Sequence, residues 1–418
     1  MRFNKDISSI KSRDIEAGEQ IEKDVRGIIA DVREKGDSAV RSYAARFDSF
    51  TGENLLVSED EIKSAINRVG QDFLRLLERA RHQIVEFHQN QIGKSWGIYK
   101  SDGVMMGQIL RPLKRVALYV PGGTATYPSS VLMNAIPAVL AGVKEVAIFT
   151  PVKADSKVAD SIIAAAATSG VHTIYKIGGV QAIASGAFGT QTIPRFDKIV
   201  GPGNIYVATA KRMVYGQVDI DMVAGPSEVL IIADHTANPK YIAADLLSQA
   251  EHDVMSSAVL VTTCEELITL TEEEIERQLS YLSRADIARK SLENYGVAIL
   301  VENLAEAFDI SNELAPEHLE ILTENPLEKL AFVQNAGSIF LGENTPEPLG
   351  DYMSGTNHVL PTGGTARFYS PLGVYDFVKY SSYSYYPKIS LESLSEDVIK
   401  FAQIEGLDAH ANSIRVRL

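Results

Sequence analysis

Apolar residues along the chain follow two rhythms. Between about residues 17 and 90 they recur at helical spacing. EQIEKDVRGIIADVREKGDSAVRSYAARFD predicts helix on either side of a turn at Lys35-Gly36-Asp37. SEDEIKSAINRV predicts another helix, opened by Ser58 with Glu61 three residues on. That is the spacing of a capping box, in which the two side chains satisfy each other's backbone N–H groups. His82 and His88 fall in the next helical stretch, six residues apart and so on different faces, which suits solvated or packed imidazoles.

From position 115 the rhythm changes. Short runs rich in Val, Ile and Leu alternate with helical stretches: RVALYVPGG, EVAIFTP, TIYKIGG and KIVGPG, then EVLIIAD, AVLVTT, GVAILVEN and GSIFLG. Continuous apolar runs of this length suit strands buried on both faces of a mainly parallel sheet. Each set has about four strands, so two similar α/β units are expected, with the N-terminal helices covering one sheet. After position 369 the chain turns rich in Tyr and Ser, YSPLGVYDFVKYSSYSYYP, and ends in one short helical stretch and EGLDAHANSIRVRL. So short a segment makes a poor core of its own. It reads as an arm that packs on another domain or another subunit.

Composition narrows the class. A chain of 418 residues suggests two to three domains, and 45% hydrophobic with 22% charged residues is an ordinary globular balance. The net charge of −14 argues against nucleic acid, anionic membrane or polyphosphate as a main partner, since each rewards a basic surface. No apolar run reaches the roughly 18 residues of a membrane span, and MRFNKDISSIKSRD lacks the apolar core of a signal peptide. Cys264 is the single cysteine, so intrachain disulfides and cysteine-cluster metal sites are excluded. A reducing cytoplasm is the simplest compartment, and Cys264, in AVLVTTC, reads as an inert core position.

Four polar stretches carry candidate chemistry. In HTANPKYIAADLLSQAEHD, Asn238 and Pro239 open a helix whose far end places Gln249 and His252 on one face. The partial negative charge of a helix C-terminus favours a cation there. LAPEHLEIL sets Glu317 beside His318 at the start of an element, either an acid–base pair or a plain helix N-terminus with Glu in its first turn. PEPLGDYMSGTNHVLPTGGTAR carries Glu347, Asp351 and His358 between Gly-rich turns, and EGLDAHANS offers Glu405 and His410. Gln249, His252, Asp351 and His410 would complete an N/O site for a divalent metal, though spacing alone does not bring them together. The turns YVPGGTATYPSS, IGGVQAIASGAFG and IVGPGNIYVATA each follow a predicted strand and point to ligand binding at strand C-termini. None fits the dinucleotide fingerprint, because Tyr206 occupies the third glycine position of GPGNIY.

In combination, DMVAGPSEVLIIAD, LLSQAEHD, APEHLEI, GDYMSGTNHVLPTGGTAR and EGLDAHANSI resemble the histidinol dehydrogenase family, in that order, and LYVPGG and KIVGPGN fit as well. The resemblance runs from about position 17 to the end. It implies oxidation of L-histidinol to L-histidine, the last step of histidine biosynthesis, in two NAD-dependent steps through a bound aldehyde. It also implies one Zn2+ per subunit on Gln249, His252, Asp351 and His410. Glu317 would activate water and His318 would be the acid–base residue. Ser227, Glu347, His358 and Glu405 would contact substrate, together with Gln249, His252, His318, Asp351 and His410. Tyr119, Gln181 and Asn204 would contact NAD. A homodimer with crossed arms is implied, Glu405 and His410 coming from the partner.

The expected architecture is two similar Rossmann-like α/β domains, incomplete and without the dinucleotide fingerprint, flanked by an N-terminal helical segment and a C-terminal arm. The expected division is a helical segment over 1–16, an α/β domain from 17–118 and 228–368 bearing most metal and catalytic residues, an NAD-contacting domain over 119–227, and a dimerisation arm over 369–418. Mn2+ or Co2+ would accept similar ligands. A related zinc and NAD enzyme acting on another small alcohol, such as a hydroxysulfonate, is the nearest alternative. A zinc hydrolase lacks its His-Glu-x-x-His helix here. A non-catalytic scaffold would need all five motifs to arise by coincidence.

Overall fold

A computed structural model describes residues 2–3, 18–52, 54–122, 126–152, 155–223 and 225–418. The chain forms two compact units: Met1–Gln91 with Lys114–Phe377, and Ile92–Leu113 with Val378–Leu418. Strands are numbered in chain order: β1 (Arg2–Phe3), β2 (Trp96–Tyr99), β3 (Met105–Pro112), β4 (Arg115–Tyr119), β5 (Glu145–Phe149), β6 (Thr173–Tyr175), β7 (Lys198–Val200), β8 (Asp219–Ile220), β9 (Glu228–Ala233), β10 (Ser257–Thr262), β11 (Gly296–Leu300), β12 (His318–Leu322), β13 (Ser338–Leu341) and β14 (Val378–Tyr385).

The larger unit holds two parallel sheets, as the apolar runs predict. One has the order β6-β5-β4-β7-β8, the other β1-β11-β10-β9-β12-β13. Every residue of β9 and β10 is buried, the signature of strands covered on both faces. On the first sheet, helices Glu19–Lys35 and Asp37–Phe47 bury Val25, Ile28, Val32 and Val40 against Ala117, Phe149, Ile183 and Ile199. Ser58 and Glu61 form the expected capping box on helix Glu59–Val69. On the second sheet, helix Pro239–Ala250, capped by Asn238, packs Ile242, Leu246 and Leu247 against Val229, Ile231 and Leu260. Helix Leu304–Leu314 covers the opposite face through Phe308. His82 is exposed and His88 is buried.

Several expected boundaries are corrected. Residues 2–3 are a strand and not part of a helical segment; the rest of the 1–16 assignment lies outside the described residues. The expected boundary between 118 and 119 falls inside β4, which pairs with β5 and β7. Helices Glu59–Val69 and Gln71–His88 pack on Asp160–Thr168 and Pro128–Leu140. The N-terminal helices therefore belong with the first sheet and not with 228–368. The sheets have five and six strands where four each were expected: β1, β8 and β12 are additional.

The smaller unit joins an internal segment to the C-terminus. Its antiparallel sheet runs β14-β3-β2, and helices Lys388–Ile404 and Asp408–Arg415 follow. The C-terminal part of this unit begins at Val378, where the expected arm was set to begin at 369, and residues 92–113 belong to the same unit. Ile389, Phe401 and Ile404 are at least 70% exposed on its longer helix. Among the described residues, no helix is long and apolar enough to cross a membrane.

Candidate active site

The first residues of β9 and β12, Glu228 and His318, lie at the amino ends of neighbouring parallel strands. Glu317 immediately precedes β12, so APEHLEI opens a strand and not a helix. Helices in such a sheet run back against the strands, so the C-terminal end of Pro239–Ala250 brings Gln249 to the same edge. Helix Glu347–Tyr352 brings Glu347 and Asp351.

Glu317 and His318 share one partner. Glu317 Oε2 accepts the Glu228 N–H at 2.9 Å, and His318 Nδ1 lies 2.9 Å from the Glu228 carbonyl oxygen. A carbonyl only accepts, so Nδ1 carries the proton and Nε2 keeps its lone pair. Burial pushes the His318 imidazole down to about 4, against the pull of Asp351, so the ring is neutral at neutral pH. Burial raises the Glu317 carboxyl well above its ordinary range, and the carboxylates of Glu228, Asp351 and Glu347 add to that rise. His318 Nε2 faces Glu347 Oε1 at 3.7 Å. Burial, then Asp351, pushes Glu347 up to about 8. Ser248 Oγ donates to Glu347 at 3.3 Å.

Asp351 stays on the acidic side. Burial works to raise it, but His358, His318 and His252 together hold it below the usual carboxylate range. His358 is fixed by the Asp351 carbonyl at Nδ1 (3.2 Å) and by Ser130 Oγ at Nε2 (3.3 Å). Its loop is anchored by Asn357, whose amide donates to the Met133 carbonyl at 2.7 Å. Ser227 is half-buried just before β9, its carbonyl accepting from Ser257 N–H.

The donors fit a cation. Gln249 is buried, yet its Oε1 has no hydrogen-bond partner among the described residues. An unsatisfied buried carbonyl costs about 1–3 kcal/mol, which coordination would recover. Of the expected metal ligands, Asp351 lies in a compact group of potential donor atoms with His318 and Glu347, all within 4.8 Å of one another. Nitrogen and oxygen donors of this kind suit zinc and its neighbours. His252 is exposed, one turn past Gln249. Glu405 and His410 belong to the smaller unit, both exposed, one capping helix Lys388–Ile404 and the other on helix Asp408–Arg415. Within the larger unit the structure therefore gathers Gln249, His252, Glu317, His318, Glu347, Asp351 and His358.

The residues read as dinucleotide contacts gather on the first sheet, at the carboxyl ends of its strands. Tyr119 ends β4, and its hydroxyl accepts the Gly179 N–H at 3.1 Å. Burial pushes that phenol up to about 12. Gln181 is buried, donating to Asp48 Oδ2 at 3.1 Å while its Oε1 has no partner among the described residues. Exposed Asn204 caps helix Ile205–Val214, its Oδ1 accepting from Tyr206 and Val207.

Sequence reasoning passes over Glu228, Glu320 and Asp245. Glu320 Oε1 accepts the Glu347 backbone N–H at 2.8 Å and so seats that helix. Asp245, on the Gln249 helix, faces Glu320, and burial raises both carboxyls. Each is a lone carboxylate in an otherwise apolar stretch, and that is the signal to look for. Cys264, half-buried, is the residue before helix Glu265–Leu279 and packs against the second core.

Known proteins resemble the chain over nearly its whole length. A family model for histidinol dehydrogenase matches residues 11–418. A histidinol dehydrogenase of Lactococcus lactis is 59% identical over 409 residues, 97% of this chain and 95% of that protein. One from Clostridium acetobutylicum is 54% identical over 411 residues, 98% of this chain and 95% of that one. The crystal structure of histidinol dehydrogenase from Elizabethkingia anophelis superposes with a TM-score of 0.94 at 38% identity, covering 100% of this chain and 97% of that one. Fold, site and likeness define an α/β oxidoreductase. The chain belongs to the histidinol dehydrogenase family.

Proposed function

We propose that the protein oxidises L-histidinol to L-histidine in two NAD-dependent steps, as the last step of histidine biosynthesis, with one zinc ion per subunit. The observation that carries this reading is the neutral His318 imidazole. Its Nδ1 is committed to the Glu228 carbonyl, and its Nε2 is left to take a proton.

When bound, NAD supplies the hydride acceptor, and zinc on Gln249, His252, Asp351 and a partner's arm supplies an anchor for the substrate's imidazole and amine. His318 Nε2 takes the hydroxyl proton as the carbinol carbon is oxidised to the aldehyde. Glu317 then takes a proton from water as its oxygen adds to the aldehyde carbon. Its raised basicity suits that task, and Glu228 N–H fixes its direction. His318 returns its first proton to the aldehyde oxygen as water adds, and, neutral again, takes a hydroxyl proton of the resulting hydrate as the second pair of electrons leaves as hydride. Ser227, Glu347, His358 and Glu405 orient the substrate, which stays bound between steps while one dinucleotide replaces another. Tyr119, Gln181 and Asn204 line the dinucleotide side. No thioester is involved, and Cys264 is remote in role.

The working unit in this reading is a cytoplasmic homodimer. The exposed Ile389, Phe401 and Ile404 face supports an arm that packs on a second copy, and the exposed Glu405 and His410 would complete that copy's site. The test is NADH formed per L-histidinol, with zinc and after chelation. Two NADH, lost on chelation and restored by zinc, are expected. One NADH with released aldehyde would remove the water-activating role of Glu317, and no turnover with zinc bound would redirect the search to other small alcohols.

A further inference from the structure

The turn Gly201-Pro202-Gly203-Asn204 joins β7 to helix Ile205–Val214. Gly201 has φ of 115°, a conformation that side chains disfavour, and a Cβ there would overlap the Tyr119 carbonyl oxygen at the end of neighbouring β4. The two strand ends that lead to Tyr119 and Asn204 thus meet at one glycine. An ion pair holds that glycine from behind. Asp221 Oδ2 accepts its N–H at 2.7 Å, Lys211 Nζ donates to its carbonyl at 2.9 Å, and Lys211 also donates to Asp221 Oδ1. The Lys211 and Asp221 side chains are only 3% and 2% exposed. A buried pair of this kind seldom outperforms well-packed apolar residues in stability, because desolvation offsets the attraction. The pair lies beside the first sheet, Lys211 on helix Ile205–Val214 and Asp221 just after β8, and the acid–base mechanism does not use it.

We propose that Lys211 and Asp221 are positioning residues for the dinucleotide. They clamp the Gly201 peptide so that Asn204 and Tyr119 are presented in fixed register. The inference rests on the reading of Tyr119, Gln181 and Asn204 as NAD contacts. It places the effect of the pair in dinucleotide affinity, and neither in proton transfer at His318 nor in affinity for the alcohol.

The test is K211M/D221N in the zinc-loaded enzyme. This variant removes both charges together and keeps an acceptor for the Gly201 N–H. NADH binding is measured by fluorescence titration, alongside steady-state rates with NAD and histidinol varied separately. The expected result is a rise of about tenfold or more in the NADH Kd and the KM for NAD, about 1.4 kcal/mol. At saturating NAD, kcat and the KM for histidinol should stay within about twofold. A folded double variant with parental NADH affinity overturns the proposal, as does an equal rise in both KM values, which would mark general loosening. Should the double variant fail to fold, D221N is read the same way. It turns an amide toward Lys211, and unchanged NADH affinity overturns the clamp. Failure of the unsubstituted enzyme to bind NADH would overturn the dinucleotide reading and the clamp with it.

Discussion

The neutrality of His318 can be measured as stability. An unfolded histidine titrates near 6.5, whereas burial holds this ring down to about 4 in the fold. Between those values the unfolded chain binds a proton that the folded chain refuses. Folding stability must therefore fall as the pH drops from 6.5 to 4, and no further below that on this residue's account. The gap, at about 1.4 kcal/mol per pH unit, amounts to about 3 kcal/mol. The assay is urea unfolding of metal-free enzyme at several pH values, scored as the difference between the parent and His318→Asn so that titrating groups away from the ring cancel and what remains belongs to His318 with its neighbours Asp351 and Glu347. Asparagine suits this comparison because its amide N–H can still donate to the Glu228 carbonyl. A difference that stays flat between pH 4 and 6.5 would show that the ring is charged in the fold, and one that grows toward acid would reverse the sign. The same substitution should slow both oxidations by about 10²–10⁴, the usual worth of a positioned general base.

Glu317→Gln should spare the first NADH and slow the second by about 10²–10⁴, visible as a single-equivalent burst in stopped flow; equal loss of both refutes the assignment. Gln249→Ala should lower zinc retained after dialysis while leaving the metal-free fold as stable or up to about 1–3 kcal/mol more stable, since an orphaned carbonyl is removed. Parental zinc content would sink the ligand reading. Gly201→Ala should destabilise the protein by about 1–3 kcal/mol or more, through its positive φ and the overlap with Tyr119, and an unchanged Tm would show that the turn can relax.

The parallel sheets were legible because EVLIIA and SAVLVT are short, continuous apolar runs, too short for a helix and without the alternation of a strand that has one wet face. The capping residues Ser58 and Asn238 act locally and were equally plain. HLEIL was obscured by Glu320, a fully buried carboxyl that breaks the apolar run, and by Pro316-Glu317, which imitates a helix start. The β2–β3–β14 sheet left no pattern to read. Its strands are rich in Gly, Tyr and Ser, largely exposed, and β14 pairs across more than 250 residues. The site residues were visible as types, but their convergence at the amino edge of one sheet depends on strand order, and single-sequence spacing carries no strand order.

Glu228 hydrogen-bonds Glu317 and His318 through its backbone, with its N–H toward one and its C=O toward the other, while its carboxylate acts on Glu317 by charge. The template that aims both groups is thus a main-chain feature that nearly any residue could supply. An alanine scan would remove the carboxylate that helps raise Glu317 yet leave both of these hydrogen bonds in place, and a comparison of side chains among relatives would not mark them. Only a change to the chain itself, such as proline in place of Glu228 or an ester in place of its amide, would separate the two groups it orients.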